Sequence, residues 1–371
     1  MVYLDYSATT PVNSEVLDTF IKATNLFIGN PNSMHKLGVE AKKMIDGATK
    51  QISNILGVKE QEIIYTSGAT ESNNTAIKGI CYKYKNRGNH IITTELEHSS
   101  VTNTIKYLEN DGFKVDYVKL DENGIVDLNN LKGLITDKTI LVSICSMNSE
   151  IGLTQPIEEI GKILKQYPKI YFHSDITQSI GKEKLNLENV DLASSSAQKF
   201  FGLKGIGILI KKEKIIIDPL IHGGKSTTEY RSGTPSLPLI LSYAKALRLI
   251  YENFDNKYLK VVKLNKYLLE KISKLNIYIN NNDKCSPYII NISLKNIKPE
   301  TMLHSLAEEE IYISTKTACT SSNISQPLFA LTKNKEISEK SLRISLSHLT
   351  TFEELDYFCK VLEQKINNLN I

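Results

Sequence analysis

Glu62-Ile63-Ile64-Tyr65-Thr66-Ser67-Gly68-Ala69-Thr70-Glu71-Ser72-Asn73-Asn74 passes from strand to turn to helix within a few residues. Glu62–Thr66 is a short apolar run of strand type, Ser67–Glu71 is a turn of small residues, and a helical pattern runs from about Asn73 to Tyr84. Free N–H groups at the head of such a helix, with its dipole behind them and the Ser67 and Thr70 hydroxyls beside them, suit an anion, typically phosphate. An ordinary N-capped strand-to-helix turn has the same sequence character. The lysine of a P-loop is missing, which disfavours a nucleoside triphosphate site.

The alternation continues on both sides. Val39–Leu56 has helical patterning, with Gly57 as its stop. Downstream, strand-like His90–Thr94, Lys114–Lys119, Ile140–Cys145, Ile170–His173 and Gly205–Lys211 are interleaved with helical Ser99–Asn110 and Ile157–Gln166. This order predicts an α/β domain with a largely parallel sheet, and such sheets place ligands at the carboxyl ends of their strands. From about Leu237 the character changes. A long helical region, Leu239–Leu275, has few breakers; short strands (Ile277–Asn280, Tyr288–Leu294, Ser341–Leu346) and helices (Pro299–Glu309, Phe352–Leu369) follow. This reads as a smaller α+β lobe, with the boundary inside the long helix and no flexible linker.

Composition narrows the classes. The 371 residues are 41% hydrophobic and 23% charged, ordinary for a folded chain with a sizeable core. A net charge of +4 over this length is too weak to indicate nucleic-acid or membrane binding. No run approaches the ~18 apolar residues of a membrane helix. The N-terminal Met1–Pro11 has no basic region before an apolar stretch, so no secretory leader is expected and the protein is read as cytoplasmic. The five cysteines, Cys81, Cys145, Cys285, Cys319 and Cys359, are scattered, with neither disulfide nor zinc spacing. The seven histidines show no metal-binding pair, and no metal is expected.

Three further segments carry chemistry. Asp175, in His173-Ser174-Asp175-Ile176-Thr177-Gln178, follows a strand end and faces the ligand crevice. It could bind a metal, a ribose hydroxyl or a protonated ring nitrogen, or serve as a helix cap. Lys199 sits in Ser194–Gly202, small and hydroxyl-rich before it and aromatic after it. A desolvated lysine there could form a Schiff base with a carbonyl cofactor, although most lysines are simply solvated. Cys319 lies among small polar residues in Ser314–Ser322, the setting of an exposed loop and of a reactive thiol. The other cysteines read as structural: Cys81 and Cys359 in helices, Cys145 in a buried strand, Cys285 at a loop edge.

A phosphate turn, an Asp after a strand and a Lys some two dozen residues later resemble, in that order, a pyridoxal phosphate (PLP) enzyme of aminotransferase fold type I. The likeness extends nearly end to end. Tyr3–Pro11, Gly29-Asn30-Pro31, Thr66–Asn74, Glu97-His98, Asn148–Gly152, Asp175–Ser179, Arg231–Thr234 and Ala318–Ser321 are similar to the class V aminotransferases, and within them to the cysteine desulfurases of the NifS/IscS type.

That resemblance implies a large α/β/α domain over residues 12–250 and a small domain from 1–11 and 251–371 that carries Cys319 and Arg343. It implies that Lys199 holds PLP, that His98 stacks on the ring as part of the catalytic set, and that Asp175 pairs with the ring nitrogen. Such a pair, about 4 Å apart at an effective dielectric near 20, is worth roughly 4 kcal/mol, enough to keep the ring protonated. Gln178 would bond the ring hydroxyl. Asn148 would contact cofactor or substrate. Ala69, Thr70 and Ser196 would bind the phosphate, joined by Thr234 from the other subunit of a homodimer. Arg343 would clamp the substrate carboxylate. L-cysteine would yield L-alanine and a persulfide on Cys319, destined for an iron–sulfur scaffold or a tRNA-thiolation enzyme. A selenocysteine lyase or an aminotransferase is the alternative within the group.

Three positions depart from the family pattern. Gln198 replaces the histidine before the PLP lysine, and would remain a cofactor contact that cannot carry charge. Gly223–Glu229 lacks the usual Gln/His and Arg at the site entrance. Lys316 replaces a glycine near Cys319, which stiffens the segment and would lower the thiol pKa.

Overall fold

All residues of Thr139–Ser143, Leu192–Ser196 and Gly207–Lys211 are buried. Strands without a wet face belong in the middle of a sheet covered on both sides. The computed structural model, which describes residues 1–315 and 324–369, puts them there. In chain order the elements are β1 (Val2–Tyr3), α1 (Ser14–Leu26), α2 (Lys36–Leu56), β2 (Ile63–Thr66), α3 (Ala69–Tyr84), β3 (His90–Thr93), α4 (Ser99–Asn110), β4 (Lys114–Tyr117), α5 (Leu128–Leu134), β5 (Thr139–Ser143), α6 (Ile157–Leu164), β6 (Tyr171–Asp175), β7 (Leu192–Ser196) and β8 (Gly207–Lys211). Then come α7 (Leu237–Tyr251), α8 (Phe254–Ile272), β9 (Ile277–Ile279), β10 (Ile289–Leu294), α9 (Pro299–Ala307), β11 (Ile311–Tyr312), α10 (Gln326–Thr332), α11 (Lys335–Glu339), β12 (Ser341–Ser345) and α12 (Phe352–Leu369).

The main sheet has seven strands in the order β2-β8-β7-β6-β5-β3-β4. Only β8 runs against the rest. The expected α/β fold with a largely parallel sheet is the one observed. Helices cover both faces. On one, α2, α6 and α7 contribute Ile45, Ile52, Ile160, Tyr243 and Leu247 to a core with Val142, Phe172 and Ile208. On the other, α3 and α4 contribute Ile77, Ile80, Val101 and Ile105. A separate core joins Val2 and Leu4 to Val261, Leu264, Ile290, Leu342, Ile344 and Phe358, around the antiparallel sheet β9-β10-β12. Strand β1 pairs with β11, which ties the N-terminus into that core.

Two expectations need correction. The region 239–275 is not one helix: α7 ends before Glu252, and α8 starts after Asn253, which is left-handed at φ 53°. No Gly or Pro marks this break. Asn tolerates the left-handed region, and the break lets α7 stay on the large core while α8 turns Val261, Leu264 and Leu268 into the other one. The serine-rich Leu192–Ser196 is a central strand, β7, that was not expected. Its hydroxyls are satisfied inside: Ser195 Oγ bonds Tyr243 Oη at 2.5 Å, and Ser194 Oγ bonds His173 Nε2 at 3.1 Å. Serines with buried partners sit in a strand despite weak β-propensity.

Candidate active site

Parallel strands bring their carboxyl ends to one edge, and there the chain leaves a cavity of about 390 Å³. Ser67–Glu71 after β2, Leu96 and His98 after β3, Cys145 and Met147 after β5, Asp175 at the end of β6, Ser196 at the end of β7, and Gln198 and Lys199 after it all line the cavity. Arg343 of β12 and Ser7 and Ala8 of the N-terminal segment close it.

The anion end is the head of α3. Gly68, at φ 153° and ψ 179°, has a backbone conformation close to glycine-only territory. A Cβ on Gly207 of β8 would lie 2.7 Å from Gly68 Cα, so these two glycines let the turn press against the sheet. The first N–H groups of α3, at Ala69 and Thr70, then have no acceptor within the helix, and the Ser196 hydroxyl stands beside Gly68. Glu71 Oε2 accepts from Ser67 N at 2.8 Å, and its Oε1 accepts from Arg231 Nε at 2.9 Å. Burial alone would raise this carboxyl, but the bonds from Arg231 and Ser67 outweigh it and hold Glu71 below the ordinary range. The carboxylate next to the anion site is therefore ionised and neutralised by Arg231.

Behind two of the lining residues, Asp175 and His98, a buried hydrogen-bond chain sets proton positions. Asp175 Oδ1 accepts from Thr177 N at 2.9 Å, and its Oδ2 from Asn73 Nδ2 at 2.8 Å. Asn73 Nδ2 also donates to Ser100 Oγ, at 2.8 Å. Ser100 Oγ then has its own proton for His98 Nδ1, 2.8 Å away, which also accepts from Ser100 N. With Nδ1 an acceptor, a neutral His98 carries its proton on Nε2. Burial, above all, lowers the His98 pKa, which keeps the ring neutral near pH 7.

Lys199 ends a single 3₁₀ turn after β7, and its Nζ donates to the carbonyls of Ser7 (2.8 Å) and Ala8 (2.6 Å). Two residues on, Phe201 is held in the left-handed region at φ 65°, an outlier for a bulky residue. Thr10 Oγ1 fixes it by accepting from Phe201 N at 2.7 Å. The Gln198 carbonyl accepts from Thr10 N at 2.9 Å, while Gln198 itself lines the cavity. Gln178 Nε2 donates to Ser7 O at 3.0 Å.

Arg343, buried, donates from Nη2 to Asp5 Oδ1 (2.8 Å) and from Nη1 to Ser149 O (3.0 Å). Its Nε is buried without a partner among the described residues. An unsatisfied cationic donor costs about 1–3 kcal/mol or more, which suits a site meant to receive an anion. Asn148 is buried in the loop after β5. It is not among the residues lining the cavity. Its Oδ1 accepts from Glu150 N and Ile151 N, and its Nδ2 donates to Leu96 O, so it shapes the loop after β5. Thr234 is exposed and outside this cavity. Cys319 lies outside the described residues, as does Lys316. Cys145 is not in a strand but past the end of β5, on the cavity wall; burial, above all, pushes its thiol well above the ordinary value, so it stays un-ionised.

Asn73, Ser100, Asp5 and the Ser7 and Ala8 carbonyls were not singled out by sequence. For Asn73 a signal existed: it lies one helical turn beyond Ala69, on the same face of α3. The donor set fits PLP by its chemistry: N–H groups and hydroxyls for a phosphate, a buried carboxylate for a ring nitrogen and an amine for an aldehyde, while the Arg343 guanidinium on the same cavity suits the carboxylate of a second ligand.

The aminotransferase class-V family model matches residues 2–358. A "NifS/IcsS protein homolog" of Lactobacillus delbrueckii subsp. bulgaricus is 40% identical, covering 100% of both chains. "Cysteine desulfurase IscS" of Rickettsia bellii is 39% identical over 99% of this chain and 92% of its own. Among solved structures, a "NifS-like protein" superposes with a TM-score of 0.94 at 37% identity, covering 99% of this chain and 100% of the other.

Proposed function

This chain belongs to the aminotransferase class-V family, and on that premise we propose that it is a PLP-dependent cysteine desulfurase, converting L-cysteine to L-alanine with the sulfur carried as a persulfide on Cys319. The observation that supports this most is the convergence of Lys199, Asp175, the head of α3 and the half-satisfied Arg343 on one cavity.

When bound, PLP supplies an electrophilic carbon for amines and an electron sink for the carbon beside the amine. Ala69, Thr70 and Ser196 would hold its phosphate, His98 its ring face, Asp175 its ring nitrogen, Gln178 its ring hydroxyl and Lys199 its aldehyde carbon. Gln198 stands beside Lys199 as a neutral neighbour. Asp175, fixed by Asn73 and Thr177, would keep a proton on the ring nitrogen. Arg343, braced by Asp5, orients the substrate carboxylate, and Asn148 supports it through the loop that presents Ser149 O. Lys199 Nζ moves the substrate's α-proton. Cys319 takes the sulfur, and Lys316 three residues before it favours the thiolate.

The working unit is a homodimer. Leu26, Ile28 and Met34 are 71%, 81% and 98% exposed in the single chain, apolar side chains that a second copy would cover. Thr234, outside its own cavity, is available to the partner's phosphate site. Residues 12–250 form the PLP-binding domain, and 1–11 with 251–371 form the small domain. The sulfur acceptor is an iron–sulfur scaffold or a tRNA-thiolation enzyme, and the setting is the cytoplasm. Among the described residues no helix is long and apolar enough to cross a membrane.

Cys319→Ser tests the persulfide step. The variant should bind PLP as the parent does and lose sulfur transfer to protein acceptors; full desulfurase activity in it would exclude the role.

A further inference from the structure

Lys182 is a buried lysine, 6% exposed, that the chemistry above leaves unused. It makes no ion pair among the described residues. Its Nζ donates to the neutral Gln178 Oε1 at 2.7 Å, while Gln178 Nε2 bonds Ser7 O, the carbonyl that also accepts from Lys199. Glu183, the acid whose charge acts on Lys182, accepts at Oε1 from Thr154 Oγ1 instead. Lys182 and Lys199 also line one small cavity behind the site, together with Tyr6, Tyr288 and His348. A buried cation without a counter-ion, near Lys199 and Arg343, is a stability cost, so stability does not explain it.

We propose that Lys182 is a positioning residue: it holds the Gln178 amide with the N–H side toward Ser7 and the cavity, and its positive charge keeps the Lys199 nitrogen less basic. This rests on the PLP reading above. Two features agree on the amide orientation, since the Ser7 carbonyl can only accept and the Lys182 ammonium can only donate. Burial, then the nearby Lys199 and Arg343, lower the Lys182 pKa to about 7, with Glu183 opposing. The Lys182 charge is therefore present below neutrality and lost above it. Burial lowers His348 to about 4 and raises Tyr6, so both stay neutral around pH 7; Tyr288 is pushed up by burial as well. That leaves Lys199, Arg343 and Glu183 as the charged groups that act on Lys182.

The test is a pH titration of the absorbance of PLP bound at Lys199 in the loaded protein. Wild type should titrate over a broadened range. Lys182→Met should raise the midpoint on the order of one pH unit and give a single-proton curve. Lys182→Arg should keep the midpoint at or below that of wild type. Lys182→Gln can still donate to Gln178, and should raise the midpoint as Met does. Unchanged midpoints in both neutral variants would overturn the proposal. So would a failure of both to fold while Lys182→Arg folds, which would make the lysine a structural post. Absence of any lysine-bound PLP band in wild type would instead strike the PLP reading itself.

Discussion

Arg343→Lys keeps a positive charge on β12 but replaces a planar fork with a single point of donation. In the parent, Nη2 is committed to Asp5 Oδ1 at 2.8 Å and Nη1 to Ser149 O at 3.0 Å, while Nε is left over in a buried position. The fork can serve Asp5, Ser149 and a substrate carboxylate at the same time. A lysine has three donors on one nitrogen on a shorter reach, and Asp5 is the strongest competitor for them. The substrate then loses at least one charge-assisted hydrogen bond, worth about 1.5–3 kcal/mol. Converted at about 1.4 kcal/mol per factor of ten, kcat/KM for L-cysteine should fall roughly 10- to 150-fold. Most of this should be in KM, because the carboxylate is held before, during and after the reaction. Initial rates of alanine formation across a cysteine series give the split, and the absorbance of bound PLP should be unchanged. An unaltered KM with a reduced kcat would refute the assignment of Arg343 to carboxylate binding.

Two other perturbations test the site's supports. Asn73→Leu removes both donors of the His98–Ser100–Asn73–Asp175 chain; it should weaken PLP binding about 10- to 100-fold, from the loss of a charge-assisted bond to a buried carboxylate, and equilibrium dialysis reads the change. Glu97, whose Oε1 accepts from Cys145 N and Thr94 Oγ1, is pushed up to about 8, above all by burial. The folded protein therefore holds a proton that the unfolded chain releases near pH 4, so stability should fall as pH rises from about 4 to 8, by up to about 1.4 kcal/mol per unit. Urea melts of Glu97→Gln across that range should lose this slope; parallel curves for parent and variant would contradict a protonated Glu97.

Much of the fold was legible because period and punctuation were clear. The spacing of apolar residues marks α2, and Gly57, left-handed at φ 64°, ends it as its sequence position suggests. Continuous apolar runs mark β5 and β8. What stayed hidden was the element whose residues contradict their own propensity. Leu192–Ser196 is a central strand built largely of serine, stable there because His173 and Tyr243 meet its hydroxyls. The break at Asn253 was equally silent, since only the division between two cores demands it. For the site, Lys199 and Asp175 stood out by residue type and order. The groups that orient them did not. A backbone carbonyl such as Ser7 O has no sequence signature, and Asp5 reaches Arg343 across most of the chain's length. Asn148 has a second role that its motif did not signal: its Oδ1 accepts from Glu150 N and Ile151 N and so supports the loop.

The most direct measurement is the release of alanine and sulfide from L-cysteine by the PLP-loaded protein in the presence of a thiol reductant, with Lys199→Ala alongside. Equal amounts of the two products, lost in the lysine variant, are expected of a cysteine desulfurase. Bound PLP with no alanine, or an amino group passed to a 2-oxo acid without sulfide, would contradict it.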